Sequence, residues 1–254
     1  MQHAGAFLVG VVIGFLGGLF GKGGSAVATP LLGLLGFPGF VAVAAPLPAT
    51  VPGTLIASWA YWRSRLLDWQ IVRWSIGIGV PATVLGSFLT AYTGSRPLLI
   101  VTGLLVLGFG ISFLAMPGER DVPDTATGED SPNRPSGWVL RLVLVAAGVG
   151  LLSGLLANSG GFLLAPSYAR ILKLPVKKSF ACSLAVSAAL AIPGSIVHAY
   201  MGHISWTVTG LIALGSVPFS YLGARVAIRT RPARLERGYG LALTALGIFF
   251  LFRI

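Results

Sequence analysis

The stretch Gly14-Phe-Leu-Gly-Gly-Leu-Phe-Gly-Lys-Gly-Gly-Ser-Ala-Val-Ala-Thr-Pro30 breaks a hydrophobic segment with Gly21, Gly23 and Gly24 and sets one cation, Lys22, inside the break. Glycine at this density interrupts a helix, because its backbone entropy is high and it accepts positive φ. The stretch therefore reads as helix, tight turn, helix, with the second helix starting near Gly24 or Ser25. Such a turn aims free N–H groups and a lysine at one point.

The surrounding composition fixes the solvent. Of 254 residues, 55% are hydrophobic and 10% are charged, the mean hydropathy is +0.85, and several apolar runs reach membrane-spanning length. The fold class expected is an all-α polytopic membrane protein. The net charge of +11 does not mark a nucleic-acid binder, because the basic residues sit in short clusters between apolar runs, where cytoplasmic loops keep them. Met1-Gln-His-Ala-Gly lacks the basic start of a signal peptide, so the first segment is expected to be retained. The single cysteine, Cys182, reads as a small buried residue.

Apolar segments run over 5–21, 24–37, 40–62, 71–93 and 97–116, and again over 138–157, 161–173, 179–201, 206–228 and 238–253. The two sets match in order. At an offset of 136, Gly14, Gly18, Gly24 and Pro30 fall on Gly150, Gly154, Gly160 and Pro166; at 137, Trp69, Pro81, Gly86, Gly103 and Gly110 fall on Trp206, Pro218, Gly223, Gly240 and Gly247. Register held over so long a span predicts a duplication. Residues 1–116 are one membrane repeat and 138–254 the other. The 117–137 linker carries five of the seven acids and reads as a solvated connector.

Charge decides how the repeats are disposed. If each glycine-broken pair returns to its starting side, fifteen basic residues between Arg63 and Arg237 collect on one face, against Arg96 and Arg253 on the other. If each pair crosses once, they divide ten against seven. The first is a clean positive-inside pattern, so the expectation is inverted-topology repeats of about five helical segments, each opening with a re-entrant helical hairpin. Both termini then lie outside the cell's inner membrane and the linker is cytoplasmic.

Inverted hairpins bring both tips toward the midplane, where transporters hold substrate. The tips carry Lys22, Gly23, Gly24 and Ser25 on one side and Asn158, Ser159, Gly160 and Gly161 on the other, each offering backbone N–H groups at a helix N-terminus. A lysine in hydrocarbon costs on the order of 3 kcal/mol without a partner. No acid lies within a predicted segment, Asp68 and Glu236 both falling in loops, so a small anionic substrate is the expected partner. Thr50, Thr54 and Ser58 recur every four residues and fall at offset 137 on Ser187, Ala191 and Ser195, giving a paired hydroxyl stripe; hydrogen bonding to the preceding helical turn accounts for each hydroxyl taken alone. Tyr61 falls on His198, and these are the candidate gates or proton carriers. Neither a metal site nor a cofactor is expected, and the missing paired catalytic groups argue against an enzyme. Glycines spaced by four fit internal packing or a homodimer.

These residues resemble the sulfite exporter TauE/SafE family, whose repeats each open with G-x-x-S/G-G-x-x-G-x-G-G-G and a later proline. Gly14 to Pro30 and Gly150 to Pro166 stand in those places, and Leu67-Asp68-Trp69 and Ile204-Ser205-Trp206 are similar to the family's turn after the proline-bearing helix. Two departures are Lys22, where the pattern has an apolar residue, and Asn158-Ser159 in the second glycine step. The resemblance implies secondary transport of a small sulfur-containing anion of the sulfite, sulfonate or thiosulfate class. An anion channel, or a carrier of a non-sulfur organic anion, is the alternative.

Overall fold

The computed structural model describes residues 2–21, 25–89, 95–115, 137–156 and 158–252. Lys22, Gly23, Gly24 and the linker up to Ser136 lie outside the described residues. Among those described the structure is all helix: α1 (Gln2–Phe20), α2 (Ser25–Leu34), α3 (Gly39–Ala44), α4 (Pro46–Arg63), α5 (Trp69–Leu89), α6 (Ser95–Ala115), α7 (Trp138–Leu155), α8 (Gly161–Arg170), α9 (Val176–Tyr200), α10 (Trp206–Arg229) and α11 (Pro232–Phe252). Among the described residues, six helices are long and apolar enough to cross a membrane: α1, α4 extended back to Val41, α5, α7, α9 and α10.

The two short helices stand where the sequence places them. α2 and α8 have ten residues each, about 15 Å of helix, half a bilayer core. α2 folds back along α1, since Leu35 returns to lie against Gly5 and its carbonyl accepts a hydrogen bond from Gln2 Nε2 at 3.4 Å. α8 returns likewise: the Tyr168 hydroxyl donates to Ser75 Oγ at 2.7 Å, and Arg170 donates to the Ser112 carbonyl at 3.0 Å.

Small residues dictate which helices meet. A Cβ on Gly14 of α1 would lie 2.5 Å from the Ser216 carbonyl oxygen, and Gly10 and Gly18 meet Ile212 and Ser220 of α10 in the same way. Gly150 of α7 lies as close to Gly79 of α5, and Gly154 to Thr83. In hydrocarbon, where helices gain nothing from burying leucine against leucine, such backbone approach supplies the packing. The first helix of each half therefore packs on the fourth segment of the other half. α6 and α11 meet through Gly110 against Thr244 and Gly247 against Leu107.

The contacts also give direction. α1 and α10 run parallel, from Gly10 beside Ile212 to Gly18 beside Ser220. α4 runs with them, because Thr209 Oγ1 donates to the Ala45 carbonyl at 3.1 Å while Gly53 faces Ser220. α9 runs against α4: Leu47 touches Gly194, and at the other end the Asp68 N–H lies 3.4 Å from Cys182 Sγ. α5 and α7 run with α9. Arg63, Arg65, Arg73, Arg141, Lys177, Lys178, Arg225 and Arg229 thus share the end where α4 and α10 finish and α5, α7 and α9 begin.

Two boundaries differ from expectation. α11 starts at Pro232, not 238, because its first turns are amphipathic and a search for apolar runs passes over Arg234, Glu236 and Arg237. Glu236 is accordingly a buried residue of a helix and not of a loop. The third segment breaks at Ala45, ahead of Pro46 and Pro48, into α3 and α4, as proline's missing donor requires.

Candidate functional site

The second hairpin tip is a hydrogen-bonded turn. The Gly160 N–H donates to Asn158 Oδ1 at 2.7 Å, the Asn158 N–H donates to the Ser153 carbonyl at 3.0 Å, and Ser153 Oγ donates back to the Asn158 carbonyl. Gly160 takes φ +68°, a conformation that any side chain would strain. The Gly161 carbonyl accepts from Ser183 Oγ of α9 at 3.1 Å, which ties the tip to the long helix beside it. Asn158 and Ser159 are buried. At the first tip, Gly21 takes φ +65° and packs against Phe180 of α9; Ser25 is the first residue of α2.

Thr50 and Thr54 lie together beneath the first hairpin. With Gly14, Gly17, Gly53, Leu184, Ser216 and Ser220 they enclose a gap of about 10 Å³ where α1, α4, α9 and α10 meet, room for about one water and no oxyanion. Their own donors are turned inward: Thr50 Oγ1 donates to the Leu47 carbonyl at 2.8 Å and Thr54 Oγ1 to the Thr50 carbonyl at 2.9 Å. Ser216 Oγ reaches the Ala49 carbonyl at 3.4 Å. The structure is closed at this point.

Ser58 leaves the stripe. A spacing of four residues advances about 40° per step around a helix, and Ser58 has turned out to an apolar cleft of about 460 Å³ lined by Trp59, Trp62, Trp69 and Ile192. In the second half, Ser187 is fully buried and its Oγ has no hydrogen-bond partner among the described residues, while Ser195 donates to the Ala191 carbonyl at 2.8 Å. The halves are not equivalent. Gly53, which borders the gap, corresponds at offset 137 to Leu190, and Leu190 packs on Gly79 and Gly160, so the matching space is plugged.

Tyr61 is fully buried, and its hydroxyl donates to the Gly18 carbonyl at 3.0 Å, which joins α4 to α1 just below the first tip. Tyr61→Phe is expected to cost about 1 kcal/mol, read as a lower melting temperature with transport retained; lost transport at unchanged stability would instead make Tyr61 a gate. His198 pairs with His203, with Nδ1 atoms 3.4 Å apart, a juxtaposition that the intervening turn conceals in the sequence. No group of three or more potential metal ligands occurs among the described residues. Sequence reasoning passed over Ser153, Thr83, Ser216 and Ser220; the fall of Thr83 on Ser220 at offset 137 was the available signal.

Two short helices folded back beside longer ones, a hydroxyl-lined gap where α1, α4, α9 and α10 meet and, among the described residues, six apolar spans free of carboxylates suit solute passage better than chemistry. The comparisons agree. The family model described as sulfite exporter TauE/SafE matches residues 6–250. A probable membrane transporter protein of Xylella fastidiosa (strain Temecula1) is 28% identical over 255 residues, covering 96% of this chain and 93% of the relative. The probable membrane transporter proteins MJ0441 of Methanocaldococcus jannaschii and YunE of Bacillus subtilis are 26% and 24% identical, covering 96% and 86% of this chain and 93% and 85% of their own. No solved structure gives a significant match. With almost its whole length matched, the chain belongs to the sulfite exporter TauE/SafE family of membrane transporters.

Proposed function

We propose that the protein is a secondary carrier that moves a small sulfur-containing anion, of the sulfite, sulfonate or thiosulfate class, by alternating access of two inverted halves. The observation that carries the reading is the closed gap bounded by Thr50, Thr54, Ser216 and Ser220 beneath the first glycine turn, a polar point enclosed by apolar helices. The second tip answers it with Asn158, Ser159, Gly160 and Gly161, and the unpartnered Ser187 hydroxyl supplies a donor for a guest. The matching family model is described as a sulfite exporter, which supports the substrate class. Lys22 supplies the full charge.

Inverted disposition is supported by direction: α1 and α7, α4 and α9, and α5 and α10 correspond at offsets of 136–137 and run oppositely. The shared basic end then faces the cytoplasm, with both termini outside the inner membrane. A cysteine placed in the 117–137 linker is expected to react only with reagent supplied from the cytoplasmic side. Labelling from outside would reverse the assignment.

The test of the function is uptake of labelled sulfite into proteoliposomes, with sulfonates, thiosulfate and carboxylates as competitors. Saturable uptake with exchange across the membrane supports a carrier, whereas unsaturated flux orders of magnitude faster identifies a channel. Competition by carboxylates alone moves the substrate outside sulfur chemistry.

A further inference from the structure

Where α4 and α10 end side by side, a second cavity of about 340 Å³ opens, lined by Arg63 of α4, by Ser64 just after it and by Tyr221, Arg225 and Arg229 from α10. Three arginines line it and, among the described residues, no carboxylate does. Asp68, in the turn that follows α4, accepts the Gln70 and Ile71 N–H groups at its Oδ1.

Two of the guanidinium groups are shelved and not merely exposed. Arg63 Cζ lies 5.0 Å from the centre of the Trp59 ring and Arg225 Cζ 5.4 Å from that of Tyr221. The two rings stand 6.2 Å apart at 31°, so one aromatic platform, built from both helices, holds both arginines. Stacking on a ring fixes the plane of a guanidinium while leaving its N–H edge free for hydrogen bonding. Arginine edges held around a small cavity suit a tetrahedral oxyanion, which accepts paired N–H···O bonds. A favourable helix C-terminus accounts for Arg63 and Arg229 singly, but not for a third cation turned into the same space.

The device belongs to one half alone. At offset 137, Arg63 corresponds to Tyr200, and Arg225 occupies the place that Phe88 holds in the first half. The cavity stands at the end of the α4–α10 seam, beyond Thr54 and Ser220. We propose that the cavity between Arg63, Arg225 and Arg229 is an oxyanion-binding site, distinct from the central gap, that takes a sulfate-, sulfonate- or phosphate-type group at the basic end of the protein. Such a group arrives either as a free anion or as the headgroup of an anionic lipid, and the proposal holds whether or not the protein is a sulfur-anion carrier.

The test uses the purified full chain. Equilibrium binding of labelled sulfate is measured in neutral maltoside micelles, and retention of phosphatidylglycerol against phosphatidylcholine is measured by native mass spectrometry. The double variant Arg63→Gln, Arg225→Gln is expected to lose at least tenfold in sulfate affinity, in phosphatidylglycerol retention, or in both. The corresponding double lysine variant recovers part of the loss. Arg73→Gln, an exposed arginine of α5 outside the cavity, is expected to change neither. Loss of sulfate binding identifies a free anion as the guest, and loss of lipid retention alone identifies a headgroup. Equal binding by wild type and double variant in both assays overturns the site, as does an equal loss in Arg73→Gln.

Discussion

Gly18→Leu is expected to leave little folded protein. A Cβ at Gly18 falls inside the contact surface of the Ser220 carbonyl oxygen and against the Ala224 nitrogen. Backbone atoms cannot rotate aside, so relief requires α1 and α10 to separate along the whole seam that Gly10, Gly14 and Gly18 form. Overpacking of this kind costs on the order of 3 kcal/mol, a large share of the ~5–15 kcal/mol that stabilises a typical fold. Gly154→Leu is expected to act equally through the Thr83 carbonyl and the Ser87 nitrogen. Gly77→Leu and Gly210→Leu, where an added Cβ meets nothing within 4 Å, should express and melt like wild type. Monodisperse yield and melting temperature in detergent decide the matter, and a well-folded Gly18→Leu protein would refute the close seam.

The second large effect concerns transport. Lys22→Gln removes the only cation of the first tip while nearly keeping its length. Asn158→Asp retains the acceptor that holds the Gly160 N–H and adds a negative charge at the second tip. A unit charge about 5 Å from an anion is worth about 3 kcal/mol at an effective dielectric near 20. Anion uptake is therefore expected to fall at least tenfold in each variant, with the melting temperature unchanged in Lys22→Gln and lowered in Asn158→Asp, whose added charge is buried. Unchanged uptake in both would remove the hairpin tips from the substrate path.

Helix identities were legible in the sequence because glycine, proline and tryptophan punctuate it twice in register, and because apolar runs of membrane length leave few other readings. The partner of each helix was not. The spacing of Gly10, Gly14 and Gly18 announces a close neighbour but carries nothing that names α10 rather than a second copy of the chain. At the site, the Asn158–Gly160 turn follows from local chemistry, since an asparagine side chain accepts the backbone N–H two residues on. The role of Ser58 did not follow, because the drift of a four-residue spacing carries it out of the stripe. Nor did the plug at Leu190 announce itself: leucine in an apolar helix is unremarked until its counterpart is a glycine bordering a gap. Arg63, Arg225 and Arg229 were placed on one face by charge, but only the parallel course of α4 and α10 puts them in one cavity.

The crossed packing of α1 on α10 and of α7 on α5 has a consequence for biogenesis. When α1 enters the membrane, the surface that will receive Gly10, Gly14 and Gly18 does not yet exist. At about 5–20 residues per second, the ~190 residues separating the two helices take on the order of 10–40 s to synthesise. Throughout that interval the nascent first half presents an unoccupied glycine groove to lipid and to the insertion machinery. Neither half can complete itself, and the same residues that close the finished transporter make its ribosome-bound precursor dependent on a later stretch of its own message.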